Sequence, residues 1–260
     1  MPRGVTLFDE HLIQGRVDSD ALTYINKVER TDGASLEPGI KVAINNFVVN
    51  CKAGGLWDKL SIVGIFAGAR SIEGALLTLK GPMESFDNFG FLQSDYDRRN
   101  GIAGDDTAKY LGTAPYFATS EALDDYHIAF SLTTLDTTAT ASPVYGFGGT
   151  VYDTAATHNT RVTSRNNSLV NVGSSRFGVG FSCVSRDNSS NFDWRNSKTT
   201  TNYTHASINA NNAAFRILRS GSVYTTNVMN YWAGGKAIAE MELYDDLVTT
   251  LLADIARAVN

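Results

Sequence analysis

Cysteine is scarce in this sequence: Cys51 and Cys183 are the two among 260 residues. Nothing in their placement suggests a framework of bridges, so they read as buried free thiols rather than a disulfide. The four histidines, His11, His127, His158 and His205, are scattered singly, and no Cys or His pair has zinc-finger spacing. Basic charge is also short. Lys plus Arg number 22 against 27 Asp plus Glu, a formal net charge of −5. A nucleic-acid surface needs a basic stripe, and an anionic membrane surface disfavours this balance. Long apolar runs are missing too. The best candidate, Leu56 to Phe66, is interrupted by Asp58 and Lys59, far from the roughly 18–20 apolar residues of a membrane-spanning helix. The opening Met1-Pro2-Arg3-Gly4, followed by Phe8-Asp9-Glu10-His11, lacks the apolar stretch of a secretory leader. The expectation is a protein with neither nucleic-acid nor membrane partners.

What is present supports a sizeable core, since 43% of the residues are hydrophobic. The composition shifts near residue 82, from helical periodicity to aromatics, Thr, Ser, Asn and Gly at short intervals. Residues 1–18 show no period and read as an extended arm. Ser19 is the expected N-cap of a helix from Asp20 to about Arg30, with Leu22, Ile25 and Val28 on one face and Gly33 as the left-handed stop. A second helix starts near Glu37 with Pro38 in its first turn. Ile40, Ala43, Ile44, Phe47, Val48 and Cys51 form its apolar stripe, and Gly54-Gly55 end it. Residues 19–81 thus read as a helical docking region: the helical hairpin, then a short helical turn at Leu56 to Leu60 and a buried strand at Ser61 to Phe66.

Beyond residue 82, strands are expected at Tyr126 to Leu135, Val144 to Phe147, Phe177 to Ser185 and Asn191 to Thr204. A further one spans Ala213 to Tyr224, with a hairpin turn at Ser220-Gly221. Asp245 or Asp246 would cap a closing helix striped by Leu247, Leu251, Leu252, Ile255 and Val259. The predicted fold is mainly β: an antiparallel two-sheet jelly-roll sandwich over 82–260, with an N-terminal helical hairpin and a C-terminal helix.

Several segments resemble a stretch recurring in bacteriophage structural proteins. They are Asp32-Gly33, Phe47 to Asp58 (Phe-Val-Val-Asn-Cys-Lys-Ala-Gly-Gly-Leu-Trp-Asp), Ala67-Gly68-Ala69-Arg70, Leu76 to Gly81, Tyr96 to Asp105 and Lys109-Tyr110-Leu111. The resemblance covers roughly residues 20–111 in residues and the remainder in pattern. It implies a concanavalin-A-like, laminin-G-type jelly roll ending in a C-terminal helix, on a tail fibre, baseplate or head surface. Gly104-Asp105-Asp106 stands where the family pattern has Gly-Asp-Gly. Sandwiches of this type often hold Ca²⁺ at a rim with oxygen ligands, and Asp95, Asp97, Asp105 and Asp106 are the candidate ligands here. Asx turns in a solvated loop are the competing and commoner explanation.

The chemistry-bearing motifs are thin. A glycosidase needs two carboxylates flanking the sugar bond; Glu240-Met241-Glu242 is the nearest pair, and it abuts the closing helix, where acidic residues suit the helix dipole. There is no Gly-x-Ser-x-Gly, and Gly146-Phe147-Gly148-Gly149 lacks the Lys-Ser/Thr ending of a phosphate loop. The chain is therefore expected not to be an enzyme. A carbohydrate site would pair aromatic faces with polar side chains. Trp194, Arg195, Asn191, Asn196 and Tyr203 supply both types, and Tyr152, His158 and Arg161 lie in another polar stretch. Core packing is the competing explanation for the aromatics.

The resulting expectation is a phage virion protein, a tail-fibre or baseplate component that binds host-surface carbohydrate and docks on other virion proteins. A head decoration or cement protein and a capsule-degrading glycosidase are the alternatives. A homo-oligomer, a trimer above all, fits virion symmetry, with no heptad run to form it through a coiled coil.

Overall fold

The computed structural model describes residues 17–113, 123–136, 141–146, 149–154, 159–164, 170–173, 178–207 and 216–259; the arm expected at 1–18 lies almost wholly outside them. Three long helices fall in this range: α1 (Ser19–Asp32), α2 (Pro38–Ala53) and α3 (Met241–Ala258). For α1 the capping residue is Asp18 rather than Ser19: its carboxylate accepts from the Asp20 backbone N–H at 2.9 Å. Its buried face is Ala21, Tyr24, Ile25 and Val28, the i, i+3, i+4, i+7 set, while Leu22 is exposed. Gly33 ends it at φ 65°. In α2 the expected stripe is buried in full, from Ile40 to Cys51. α3 begins earlier than expected, with Glu240 at its N-cap, and buries Met241, Tyr244, Asp245, Val248, Leu251 and Ile255.

The strands form two antiparallel sheets, as the predicted sandwich requires. Among the described residues the larger has nine strands. Its main path runs Thr199–Thr204, Asn191–Asn196, Gly180–Arg186, Tyr126–Thr134, Val228–Gly235, Leu60–Ile65 and Thr78–Lys80. The second has seven: Val170–Gly173, Asn159–Ser164, Gly149–Thr154, Ala141–Gly146, Arg216–Ile217, Tyr110–Gly112 and Asp87–Phe89. The expected Ser220-Gly221 turn joins the short strands Arg219–Ser220 and Val223–Tyr224.

The larger sheet is covered on both faces. Cross-strand register puts Trp232, Phe130, Ile128, Val184 and Trp194 on one face, toward the second sheet. There Phe86 meets Trp232 edge-on at 5.9 Å. The same register puts Tyr231, Ala129, Phe181, Cys183 and Arg195 on the other face, under the helices. On that side Phe47 of α2 packs edge-on against Tyr231 at 6.1 Å, and Phe181 against Tyr244 of α3 at 5.3 Å. The Tyr231 and Tyr244 hydroxyls share a 2.7 Å hydrogen bond. Cys51 and Cys183 are both buried and unbridged. Two-sided burial explains why Val228–Gly235, the strand between Tyr126–Thr134 and Leu60–Ile65, has no alternation to read in its sequence.

The expected boundary at 81/82 is therefore corrected. Leu60–Ile65 pairs residue by residue with Val228–Gly235, across that boundary. α2 packs chiefly on α3, and the buried apolar residues of helices and sheets form one cluster. Residues 19–81 are not a separate docking region, because the α2 stripe covers the Tyr231 face of the sheet.

Three of the segments quoted above, around Asp32, Ala67–Arg70 and Tyr96–Gly101, meet at one joint. Arg98 grips Glu37 with two bonds (3.0 and 2.6 Å) and donates to the Gly68 and Ala69 carbonyls. Tyr96 donates to the Ala69 carbonyl at 2.8 Å. Asp32 accepts from the backbone N–H groups of Arg70 and Ser71. At Gly101 (φ 105°) a Cβ would fall 2.0 Å from the Met229 carbonyl oxygen, so glycine is required there. These residues read as a folding signature: they lock the α1–α2 link to the larger sheet.

A buried ion pair ties α3 to the sheet. Arg195 Nε donates to Asp245 Oδ2 at 2.8 Å, and the other carboxylate oxygen accepts from Lys198 at 2.8 Å and Thr249 at 3.1 Å. Asp245 is thus not a helix cap but a buried acceptor in the second turn. Replacing Asp245 by Ala strands the Arg195 guanidinium, and a loss of about 3–5 kcal/mol is expected in urea unfolding; a loss under about 1 kcal/mol would contradict the assignment. His127 supplies an acid limb. Its burial outweighs the hydrogen bond from Nδ1 to the Lys236 carbonyl, and its pKa is lowered from 6.5 to about 4. A depressed histidine binds protons in the unfolded chain first, so stability falls as pH drops from about 6.5 and levels off below about 4. The contribution is up to about 3 kcal/mol. Unfolding of a His127→Gln variant followed across this window should lack that limb; a limb of unchanged size would assign it elsewhere.

Candidate functional site

The residues expected to bind sugar lie in the Asn191–Asn196/Thr199–Thr204 hairpin, and the fold uses their side chains internally. Trp194 is buried against Phe130, 6.3 Å between centroids. Arg195 is held by Asp245 and by Thr200 Oγ1 at 3.0 Å. Asn196 donates to Ser182 Oγ at 2.7 Å. Tyr203 stacks on Phe192 at 5.5 Å and donates to the Val172 carbonyl at 2.5 Å, linking the edges of the two sheets. Asn191 is half-buried and pairs with Thr204. The expected platform is corrected on this ground: its aromatic faces are packing surfaces. Tyr152 and Arg161 pair across adjacent strands of the second sheet, and His158 lies outside the described residues.

The four candidate calcium ligands do not converge. Asp95 pairs with Lys109 at 2.8 Å and accepts from the Leu92 backbone. Asp97 accepts from the backbone N–H groups of Arg99 and Asn100 at 2.9 and 2.7 Å. Asp105 accepts from those of Thr107, Ala108 and Lys109. Partial burial pushes the Asp105 carboxyl up, but these donors win and hold it well below the usual carboxylate range. Among the described residues no three His, Cys, Asp or Glu side chains gather as a metal site would require. The carboxylates of Asp95, Asp97 and Asp105 are turn acceptors. Asp106 has φ 59°, the left-handed conformation that a glycine adopts freely.

A different cluster is exposed on the outer face of the second sheet, around the strand Tyr110–Gly112. Leu111 and its partner Ile217 are fully buried and face the core, so Tyr110, Gly112 and Arg216 face outward. Phe89 is 44% exposed and stacks flat on Tyr110, with centroids 4.3 Å apart and planes 4° from parallel. The Arg219 guanidinium lies 4.6 Å from the Tyr110 centroid and 4.8 Å from that of Tyr224. A group that near cannot share the ring face that Phe89 covers, so Phe89, Tyr110 and Arg219 form a column with Tyr224 flanking it. Arg216 approaches Tyr110 at 5.8 Å.

Gly112 lies buried beside the column. A Cβ there would come 3.1 Å from Phe89 Cε2 and 3.3 Å from Asp87 Cβ, so both neighbouring side chains lean over the glycine. Among the described residues, neither the Tyr110 nor the Tyr224 hydroxyl has a hydrogen-bond partner. An exposed ring stack beside guanidinium, carboxylate and open hydroxyls can hold a flat, hydroxyl-bearing ligand by stacking and hydrogen bonding. Sequence reasoning missed this cluster because its members come from five strands, between Asp87 and Tyr224. The signal available was Leu111 flanked by Tyr110 and Gly112, an inward residue between two outward ones.

No family model matches the sequence, and no curated protein matches it. Solved structures do match in fold. A botulinum neurotoxin type C structure, described for its interaction with two ganglioside molecules, is 8% identical with TM-score 0.52, covering 75% of this chain and 52% of that one. The binding domain of botulinum neurotoxin DC, in complex with SialylT, is 9% identical with TM-score 0.51, over 74% of this chain and 52% of that one. This chain thus spans about half the length of those toxin chains. Together these likenesses show the β-sandwich fold. A Trypanosoma rangeli sialidase also matches, at 8% identity and TM-score 0.46, over 74% of this chain and 33% of that one. That match corrects the expectation of a chain that is not an enzyme: the architecture also occurs within an enzyme, so thin motifs do not exclude catalysis. At this similarity it carries no activity over to the present chain.

The left-handed turn at residue 106 gives a direct check on the turn reading of the acidic segment. Replacing Asp106 by Gly should stabilise the protein by about 0.5–1 kcal/mol in urea unfolding, and a chelator should leave the melting midpoint unchanged. A destabilised variant, or a midpoint lowered by chelator, would instead favour an ion held by these carboxylates.

Proposed function

We propose that the chain is a surface component of a bacteriophage virion, of tail-fibre or baseplate type, and that it binds host-surface glycans. The observation that carries the binding reading is the surface column of exposed Phe89 with half-buried Tyr110 and Arg219, packed beside Gly112. Stacked aromatic rings with adjacent polar groups suit the apolar face and hydroxyl rim of a sugar. The toxin structures of like fold are described with gangliosides and with SialylT, which makes carbohydrate the first ligand class to test. The virion assignment rests on the sequence resemblance over residues 20–111. In a virion the chain is a homo-oligomer, a trimer by virion symmetry, beside other virion proteins.

Binding of the purified chain to an immobilised glycan array tests the site. The expected result is saturable binding that falls at least tenfold in Tyr110→Ala, a change of about 1.4 kcal/mol. Gly112→Ala should weaken it by crowding Phe89, with the melting midpoint kept within a few degrees. No glycan bound by the wild type, or equal binding by both variants, would overturn the reading. Immunogold labelling of intact virions tests the location. Label at the tail supports the proposal, label over the head makes the chain a decoration protein, and none on the particle removes the virion assignment.

A further inference from the structure

Arg219 is the arginine of the outer-face column whose electrostatic demand is unmet. Its Nε donates to the Gly221 carbonyl at 2.8 Å, across the Ser220-Gly221 turn of its own hairpin. The guanidinium is flanked by the rings of Tyr110 and Tyr224, at 4.6 and 4.8 Å. Among the described residues no carboxylate pairs with it: Asp95 is taken by Lys109, and Asp87 leans over Gly112. Two aromatic faces and one backbone carbonyl therefore fix the plane of a cation that, among the described residues, has no carboxylate partner. A guanidinium oriented beforehand loses little rotamer freedom on binding, and its planar fork matches a carboxylate with two parallel hydrogen bonds. Arg216, on the same face, adds a second positive charge near Tyr110.

We infer that the site selects acidic sugars: Arg219 takes the carboxylate of a glycan whose ring lies on the Phe89–Tyr110 stack. The inference rests on the glycan-binding reading above and goes beyond it in naming the ligand class and the residue that discriminates. Arg219 is a binding residue here, and the aromatic rings are its positioning partners. A neutral sugar would keep the stacking contact and forgo the charge-assisted pair. A sulfated sugar presents a tetrahedral oxyanion that the same fork also grips, so the test must separate it from a carboxylate.

The test uses one glycan array printed twice, native and after chemical reduction of its carboxyl groups to alcohols, probed with the full chain. Expected is strong binding to carboxylate-bearing glycans that falls at least tenfold on their reduced counterparts. In Arg219→Gln the native signal should drop to the reduced level, and Arg219→Lys should restore part of it through charge alone. Equal binding to both prints, or an unaltered native-to-reduced ratio in Arg219→Gln, overturns the inference while leaving the glycan-binding reading intact. Binding confined to sulfated glycans, which survive the reduction, overturns it as well. Absence of binding to either print removes the glycan-binding reading itself. Because Arg219 is half-buried, Tyr224→Phe serves as a control for folding: it keeps the ring under the guanidinium and should keep the ratio.

Discussion

The structure depends on the burial of both faces of its larger sheet. Tyr126–Thr134 and Val228–Gly235, neighbours at its centre, are buried along nearly their whole length. One face needs the second sheet and the other needs the helices; neither cover suffices alone. Burying an aromatic side chain such as Trp232, Tyr231 or Phe130 is worth roughly 2–3 kcal/mol, and these three point alternately to the two sides. Stripping away the second sheet would expose Trp232 and Phe130, and stripping away the helices would expose Tyr231. The N-terminal helices are consequently part of the same core as the jelly roll, fixed through Phe47 and Tyr231, the Arg98–Glu37 joint and the packing of α2 on α3.

That constraint also decides where a ligand can bind. With both faces of the larger sheet covered, side chains on its inner strands serve packing, and polar ones among them must find partners inside. Arg195 found Asp245, Asn196 found Ser182 and Tyr203 found the Val172 carbonyl. In the second sheet, Leu111 and Ile217 are buried toward the core. Its other face is open around Tyr110, and there aromatic rings remain exposed. The binding surface moves from the polar hairpin at 191–203 to the column at Phe89, Tyr110, Arg219 and Tyr224 for a reason of layering rather than of local composition.

Much of the architecture was legible from periodicity. The α2 stripe is buried residue for residue, because a helix with one covered face shows its period plainly. Glycine positions marked real turns at Gly33 and Gly221, where positive φ leaves few alternatives. The readings that failed share a cause. Val228–Gly235 shows no alternation because both its faces are inside. Asp245 resembled a helix cap because an isolated acid near a helix start usually is one, whereas here Arg195, fifty residues earlier in the chain, brings it into the core. The boundary at residue 82 followed a real shift in composition, but composition does not reveal that Leu60–Ile65 pairs with Val228–Gly235. The outer-face column was illegible for a related reason, since cross-strand register assembles it from distant residues.

Native-state hydrogen exchange across a denaturant series tests the central claim most directly, that helices and sheets form one cooperative core. The account predicts that the slowest amides of α2, α3, Leu60–Ile65 and Val228–Gly235 exchange at one common free energy, equal to that of global unfolding. Exchange of α1 and α2 at a distinctly lower free energy, with the strand amides still protected, would contradict it and return residues 19–81 to the status of a separate attachment region.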